Sequence, residues 1–159
     1  MTTRVWRAVG ALAIVVAIAG SALASSDHSS GAKRLKLLDV SDKFEFVDVG
    51  RPAEGEGDLS PGDMLIFENI LRNRADTKTL GTFVAICTMA VPPMTHCRGT
   101  LWLEDGKIEL SAAVNLADAE TIHSAVTGGT SSYRRARGHA IFGEEVAEGV
   151  RELTVVLLP

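Results

Sequence analysis

The sequence predicts an exported all-β domain, either a sandwich or a barrel. Three observations predict it. The chain after residue 34 breaks into about eight short runs rich in Val, Ile, Leu, Phe and Thr, each bounded by Gly, Pro, Asn or Asp. Such residues suit a pleated, half-buried surface. No stretch carries the long 3.6-residue apolar period that an amphipathic helix needs. The first 24 residues have the make-up of a secretory signal.

Taken in order, Arg4 and Arg7 form a basic start, and an apolar run from residue 8 to residue 18 follows. Gly20 and Ser21 break that run, and Ala22-Leu23-Ala24 offers the small-x-small site a signal peptidase cuts. The run is too short to anchor stably across a bilayer, so residues 1–24 are expected to be a cleaved signal peptide and the mature protein to be secreted. Residues 25–33 are Ser-rich and polar and read as a flexible leader, leaving 34–159 as the domain.

The first apolar segment spans 35–49 and reads as one bent strand or two short ones around Ser41-Asp42. Residues 50–62, with Pro52 and Pro61 among several Gly and Glu, make a loop. Further strands are expected at 64–71, 81–91, 97–104, 107–116, 121–126, 133–142 and 151–158. Asp105-Gly106 between two runs signals a two-residue hairpin. Residues 115–123 allow one short helical turn. Strand 81–91 places Phe83, Ala85, Cys87 and Met89 on one face and Val84, Ile86 and Ala90 on the other, so it is apolar on both sides. A barrel offers one face to its lumen. The outer face then needs cover, for which a partner subunit is the simple candidate and tail or loop packing the alternative.

Composition narrows the function. Removing residues 1–24 takes two of the 16 basic residues and none of the 20 acidic ones, so the net charge goes from −4 to −6. That balance argues against nucleic acid and against anionic membrane after signal cleavage. The Lys33, Arg34 and Lys36 cluster reads as a solvated start to the domain. Cys87 and Cys97 are an even pair in an exported chain and are expected to form a disulfide, cross-strand if the chain folds back at Pro92-Pro93. His28, His96, His123 and His139 have no metal-ligand spacing, so no metal is expected. Gly128-Gly129-Thr130 lacks the ending of a phosphate loop, and Ser131 and Ser132 sit in no nucleophile elbow.

Residues 126–138 carry the most specific signal: Gly128, Gly129, Thr130, Tyr133, Arg134, Ala136, Arg137 and Gly138. The block resembles the signature of the allene oxide cyclase and dirigent barrel superfamily, with Ser131 where a Gly is usual. Gly57-Asp58-Leu59-Ser60-Pro61-Gly62-Asp63 before an apolar strand also looks like the second-strand start of cyclase-type members. The resemblance runs from about residue 34 to the end and implies an eight-stranded antiparallel barrel, often trimeric, with an apolar lumen open at one end. Plant cyclases of this type make an unstable epoxide close with one handedness, dirigents orient radical intermediates, and some bacterial relatives cyclise polyketides.

The resemblance therefore implies a secreted barrel that binds an apolar small molecule and directs its cyclisation or coupling without a cofactor, as a homotrimer. The alternative is a non-catalytic, lipocalin-like binding or scaffold protein. The plant cyclases use a Glu and an Asn, for which Glu68 and Asn69 are candidates on opposite faces of one strand, with Asp48 and Asn115 as others. Arg134 and Arg137, read as strand residues, fall on opposite faces, so one of them faces a ligand. Catalytic candidates are thus Glu68, Asn69 and Arg137, and ligand-binding candidates Asp48, Asn115, His123, Tyr133 and Arg134. Tyr133 is also expected to pack its ring across a tight corner.

Overall fold

The computed structural model describes residues 31–49 and 59–159. The predicted signal peptide, the leader up to residue 30 and most of the Pro-rich loop lie outside the described residues. Eight strands follow one another around a closed antiparallel barrel. They are β1 (Lys33–Val47), β2 (Met64–Asn73), β3 (Thr79–Val91), β4 (Met94–Leu103), β5 (Gly106–Asn115), β6 (Ile122–Gly129), β7 (Gly138–Ala147) and β8 (Val150–Leu157). β8 pairs back onto β1, with Lys33 opposite Leu157, which removes the free edges that a sandwich would keep.

β1 is one continuous strand. Its register slips between Ser41 and Lys43, where the sequence shows Ser41-Asp42, and this bulge bends the strand. The β4–β5 hairpin forms one residue earlier than Asp105-Gly106 suggests. Leu103 pairs with Gly106, so Glu104 and Asp105 make the turn, and Gly106 opens β5 at φ +139°. A 3-10 turn at Leu116–Asp118, capped by the Asn115 side chain on Ala117 N at 3.1 Å, fulfils the expected helical turn.

The strand expected at 133–142 begins only at Gly138. Residues Ser131–Tyr133 form a 3-10 turn instead, entered through Ser131 at φ +51°. This crossover plugs one end of the barrel. Tyr133 is buried among Leu37, Leu71, Leu101, Ile108 and Leu153, which close that end with side chains. Gly138 lies at φ +141°, and a Cβ there would run into the carbonyl oxygen of Val156, so the corner requires glycine.

Because the strands alternate direction, the β1–β2, β3–β4, β5–β6 and β7–β8 connections gather at the opposite end. The first is pinned by Asp63, which accepts from Val49 N at 2.9 Å, from Ser60 N at 2.6 Å and from Ser60 Oγ at 3.0 Å. The Ser60-Pro61-Gly62-Asp63 segment is therefore a structural clasp, and its backbone donors hold the Asp63 carboxyl below the usual carboxylate range.

Candidate functional site

Period-2 alternation decides what the barrel holds. On β2 the odd positions Leu65, Phe67, Asn69 and Leu71 turn inward; on β8 Arg151, Leu153, Val155 and Leu157 do. The inward residues near the closed end are large and interlock. Toward the other end they shrink to Ala85, Ala112, Ser124 and Gly149, and the interior opens into a cavity of about 360 Å³. Phe67, Phe83, Val114, Ile122 and Phe142 make its walls mostly apolar, and Phe83 and Phe142 pack in a tilted pair with centroids 5.1 Å apart. At the rim, exposed Phe44 leans on Phe67 at 5.3 Å.

Cys87 and Cys97 are directly opposed on β3 and β4, with Cα atoms 3.9 Å apart, and form the expected disulfide. The bridge lines the cavity, so it belongs to the lumen wall as well as to the hairpin.

One carboxylate sits deep in this apolar space. Asp39, on β1, is 5% exposed. It accepts from Asn69 Nδ2 at 3.0 Å on each of its two oxygens. Burial is the dominant influence and lifts its pKa from 3.8 to about 6; the Asn69 amide and the positive charge of Arg151 pull the other way. Arg151 is opposite Asp39 across the β1–β8 pair and opposite Glu145 across β7–β8. Its guanidinium reaches the β5–β6 loop, with Nη1 3.1 Å from Ala119 O and 3.4 Å from Glu120 O. Glu145 accepts from Gly149 N and edges the cavity. A carboxylate near neutral pKa, held by an amide at the wall of an apolar chamber, can exchange a proton with a ligand or oppose a developing positive charge.

Of the residues singled out from sequence, Asn69 lines the cavity. Glu68 faces outward on the same strand and pairs with Lys43 at 3.1 Å. Arg134 and Arg137 lie outside any strand, so the alternation argument fails for them. Both are exposed at the closed end, where Arg137 donates to Pro159 O. Tyr133 is buried in the closed-end core, as its packing role required, and is absent from the cavity wall. His123 is exposed because its neighbour Ser124 takes the inward position. Asn115 is spent as a cap, and Asp48 is exposed just past β1.

Asp39 and Arg151 were missed, and both leave a signal. Leu35-x-Leu37-x-Asp39 and Arg151-x-Leu153-x-Val155-x-Leu157 each place a charge on the apolar face of a strand.

The outer face of β2–β4 is mixed: Glu68, His96 and Arg98 lie on it beside an apolar strip. Ile66 opposes Ile86 across the ladder, and Val84, Ile86 and Trp102 are exposed.

No family model matches the chain, and no curated protein matches it either. Solved structures do. A pyocyanin demethylase is 25% identical, with TM-score 0.65, over 78% of this chain and 99% of its own. AbnU, an exo-specific intermolecular Diels-Alderase, is 15% identical, with TM-score 0.60, over 79% and 97%. A pterocarpan synthase dirigent protein is 16% identical, with TM-score 0.59, over 80% and 94%. The chain has the allene oxide cyclase-like, dirigent-like barrel fold.

Proposed function

We propose that this barrel is exported, binds an apolar small molecule in its open-ended cavity, and directs that molecule's cyclisation or coupling with Asp39 as the working acid–base group. The observation that carries the reading is a buried carboxyl, raised to a pKa of about 6, at the wall of a hollow apolar chamber. The apolar walls hold a flexible substrate in one reactive shape, which removes much of the entropic barrier. Asp39 then accepts a proton, returns one, or faces positive charge as it develops, and Asn69 keeps its oxygens aimed. Every step uses side chains of the chain itself. Likeness in fold to Diels-Alderases and dirigent proteins supports a barrel that directs ring closure or coupling.

The reading includes a homotrimer closed through the outer face of β2–β4, since that exposed apolar strip needs a partner. Export is consistent with the Cys87–Cys97 disulfide.

Native mass spectrometry of the mature protein purified from its own host tests the reading. The expected result is a trimer retaining an apolar compound. The cavity-filling variant Ala112→Phe, checked for folding by circular dichroism, loses that compound. The Asp39→Asn variant still binds it but no longer converts it. Binding without conversion by the unaltered protein assigns the lipocalin-like carrier role instead. A ligand-free protein indifferent to Ala112→Phe contradicts both.

A further inference from the structure

We infer that the molecule taken into this cavity is an apolar cation: a flat or extended hydrophobic body carrying one positive charge, either on a nitrogen or spread over a ring system. The inference rests on the cavity reading above and adds the charge class of the ligand.

The first support is the charge inside. Among the residues lining the cavity, the ionisable ones are Asp39, Glu145 and Arg151. The single guanidinium donates to the backbone carbonyls of Ala119 and Glu120 and, from the next strand, also attracts Asp39, which leaves the lining with two carboxylates to one cation. Asp39 receives one side-chain amide, Asn69 Nδ2, whereas a carboxylate has about four acceptor positions. Buried and under-donated, it gains most from a ligand that brings positive charge or a donor. An anionic ligand would meet two carboxylates across a wall of low polarisability.

The second support is the rim. Beyond its bulge β1 carries exposed Asp42 and Glu45, with Asp48 next; the β5–β6 connection adds Asp118 and Glu120; the β7–β8 hairpin adds Glu144, Glu145 and Glu148. Against these, among the described residues of this end, stand the basic side chains Lys43, paired with Glu68, and Arg151, already engaged. Carboxylates ringing a cleft with low-dielectric walls focus a negative potential into it and raise the local concentration and association rate of cations.

The third support is aromatic. Phe67, Phe83 and Phe142 line the cavity, Phe83 and Phe142 tilted together at 5.1 Å and Phe67 backed by Phe44 at 5.3 Å, so the wall is rich in aromatic rings, which attract a desolvated cation.

Fluorescence titration of the mature, disulfide-bonded protein tests this with three tricyclic probes of one size: 10-methylacridinium, a fixed cation; acridine, neutral at mildly alkaline pH; and 9-anthracenecarboxylate, an anion. The expected order is cation tightest, by about tenfold over the neutral probe, and anion weakest. In Asp39→Asn the preference for the cation over the neutral probe falls to about twofold or less. In the triple variant Glu144→Gln, Glu145→Gln, Glu148→Gln the cation associates more slowly and with a shallower salt dependence. If acridine binds as tightly as 10-methylacridinium, the cation class is overturned and the cavity stands. If none of the three probes binds, the cavity reading fails with it.

Discussion

The two ends of this barrel are built from the same eight strands and have opposite properties. The closed end is filled: Leu71, Leu101, Ile108, Leu153 and Val155 have no exposed surface, and Tyr133 plugs the middle. Its surface is basic, with Lys33, Arg34 and Lys36 from β1 and Arg134, Arg135 and Arg137 from the β6–β7 crossover. The open end is hollow, ringed by carboxylates, and keeps a desolvated acid in its wall. The difference teaches how one small fold separates its tasks. Burial of large side chains stabilises one end, which lets the other tolerate a void and an under-donated charge, both of which cost free energy.

The largest way to break this division is at the closed end. Leu153→Ala deletes a fully buried side chain in the filled half and is expected to lower unfolding free energy by about 2–5 kcal/mol. Ala substitution at Phe67, on the cavity wall, is expected to cost visibly less, because that side chain already borders open space. Paired denaturant titrations compare the two. Equal losses would mean that the open end is packed like the closed one.

The disulfide comes next. Cys87 and Cys97 are separated by 10 residues, and the chain-entropy model gives about 2.5–3 kcal/mol for a loop of that size. The double variant Cys87→Ser, Cys97→Ser should lose about that much stability. It should also weaken probe binding, since the bridge lines the cavity.

Asp39→Asn acts in the other direction. A carboxyl whose pKa is raised from 3.8 to about 6 binds its proton more tightly folded than unfolded. Stability therefore falls as pH rises through that window and then levels off. Removing the acid is expected to stabilise the protein by about 2–3 kcal/mol above about pH 7 and to change little below about pH 4. Thermal unfolding of both proteins across pH reads the difference. The attraction of Arg151, opposite Asp39 across the β1–β8 pair, is already contained in that raised value and is lost with the carboxylate in the variant.

Smallest of all, Glu68→Gln breaks an ion pair with Lys43 between two well-exposed side chains. It should change stability by less than about 0.5 kcal/mol and leave the cavity untouched. Arg137→Ala should leave probe affinity unchanged, being at the far end.

Much of this was legible in the residues. Turn signals and strand-length apolar runs gave seven of the eight strands to within three positions and β7 five positions early, and the Gly-Gly-Thr block pointed to the barrel fold. The Cys pair was readable because antiparallel pairing around a short turn leaves few registers. The site was harder. Tyr133-Arg134-Arg135 looks like a strand start by composition, yet Ser131 in the left-handed region and the tight corner at Gly138 turn it into a plug, which exposes the arginines. Asp39 lies far from the motif in sequence and in a run of mixed charges, although its alternation with Leu35 and Leu37 marks it as inward. The polar split between acidic mouth and basic floor disappears in a net charge of −4 and emerges only when the connections are sorted by end.

The central claim is that Asp39 is buried at the wall of a ligand-sized hollow, and a carbon-13 NMR titration of its side-chain carboxyl tests that most directly. A midpoint at about 6 is predicted, moving down when 10-methylacridinium is bound. A midpoint near the ordinary 3.8 would show a hydrated carboxylate and contradict the account.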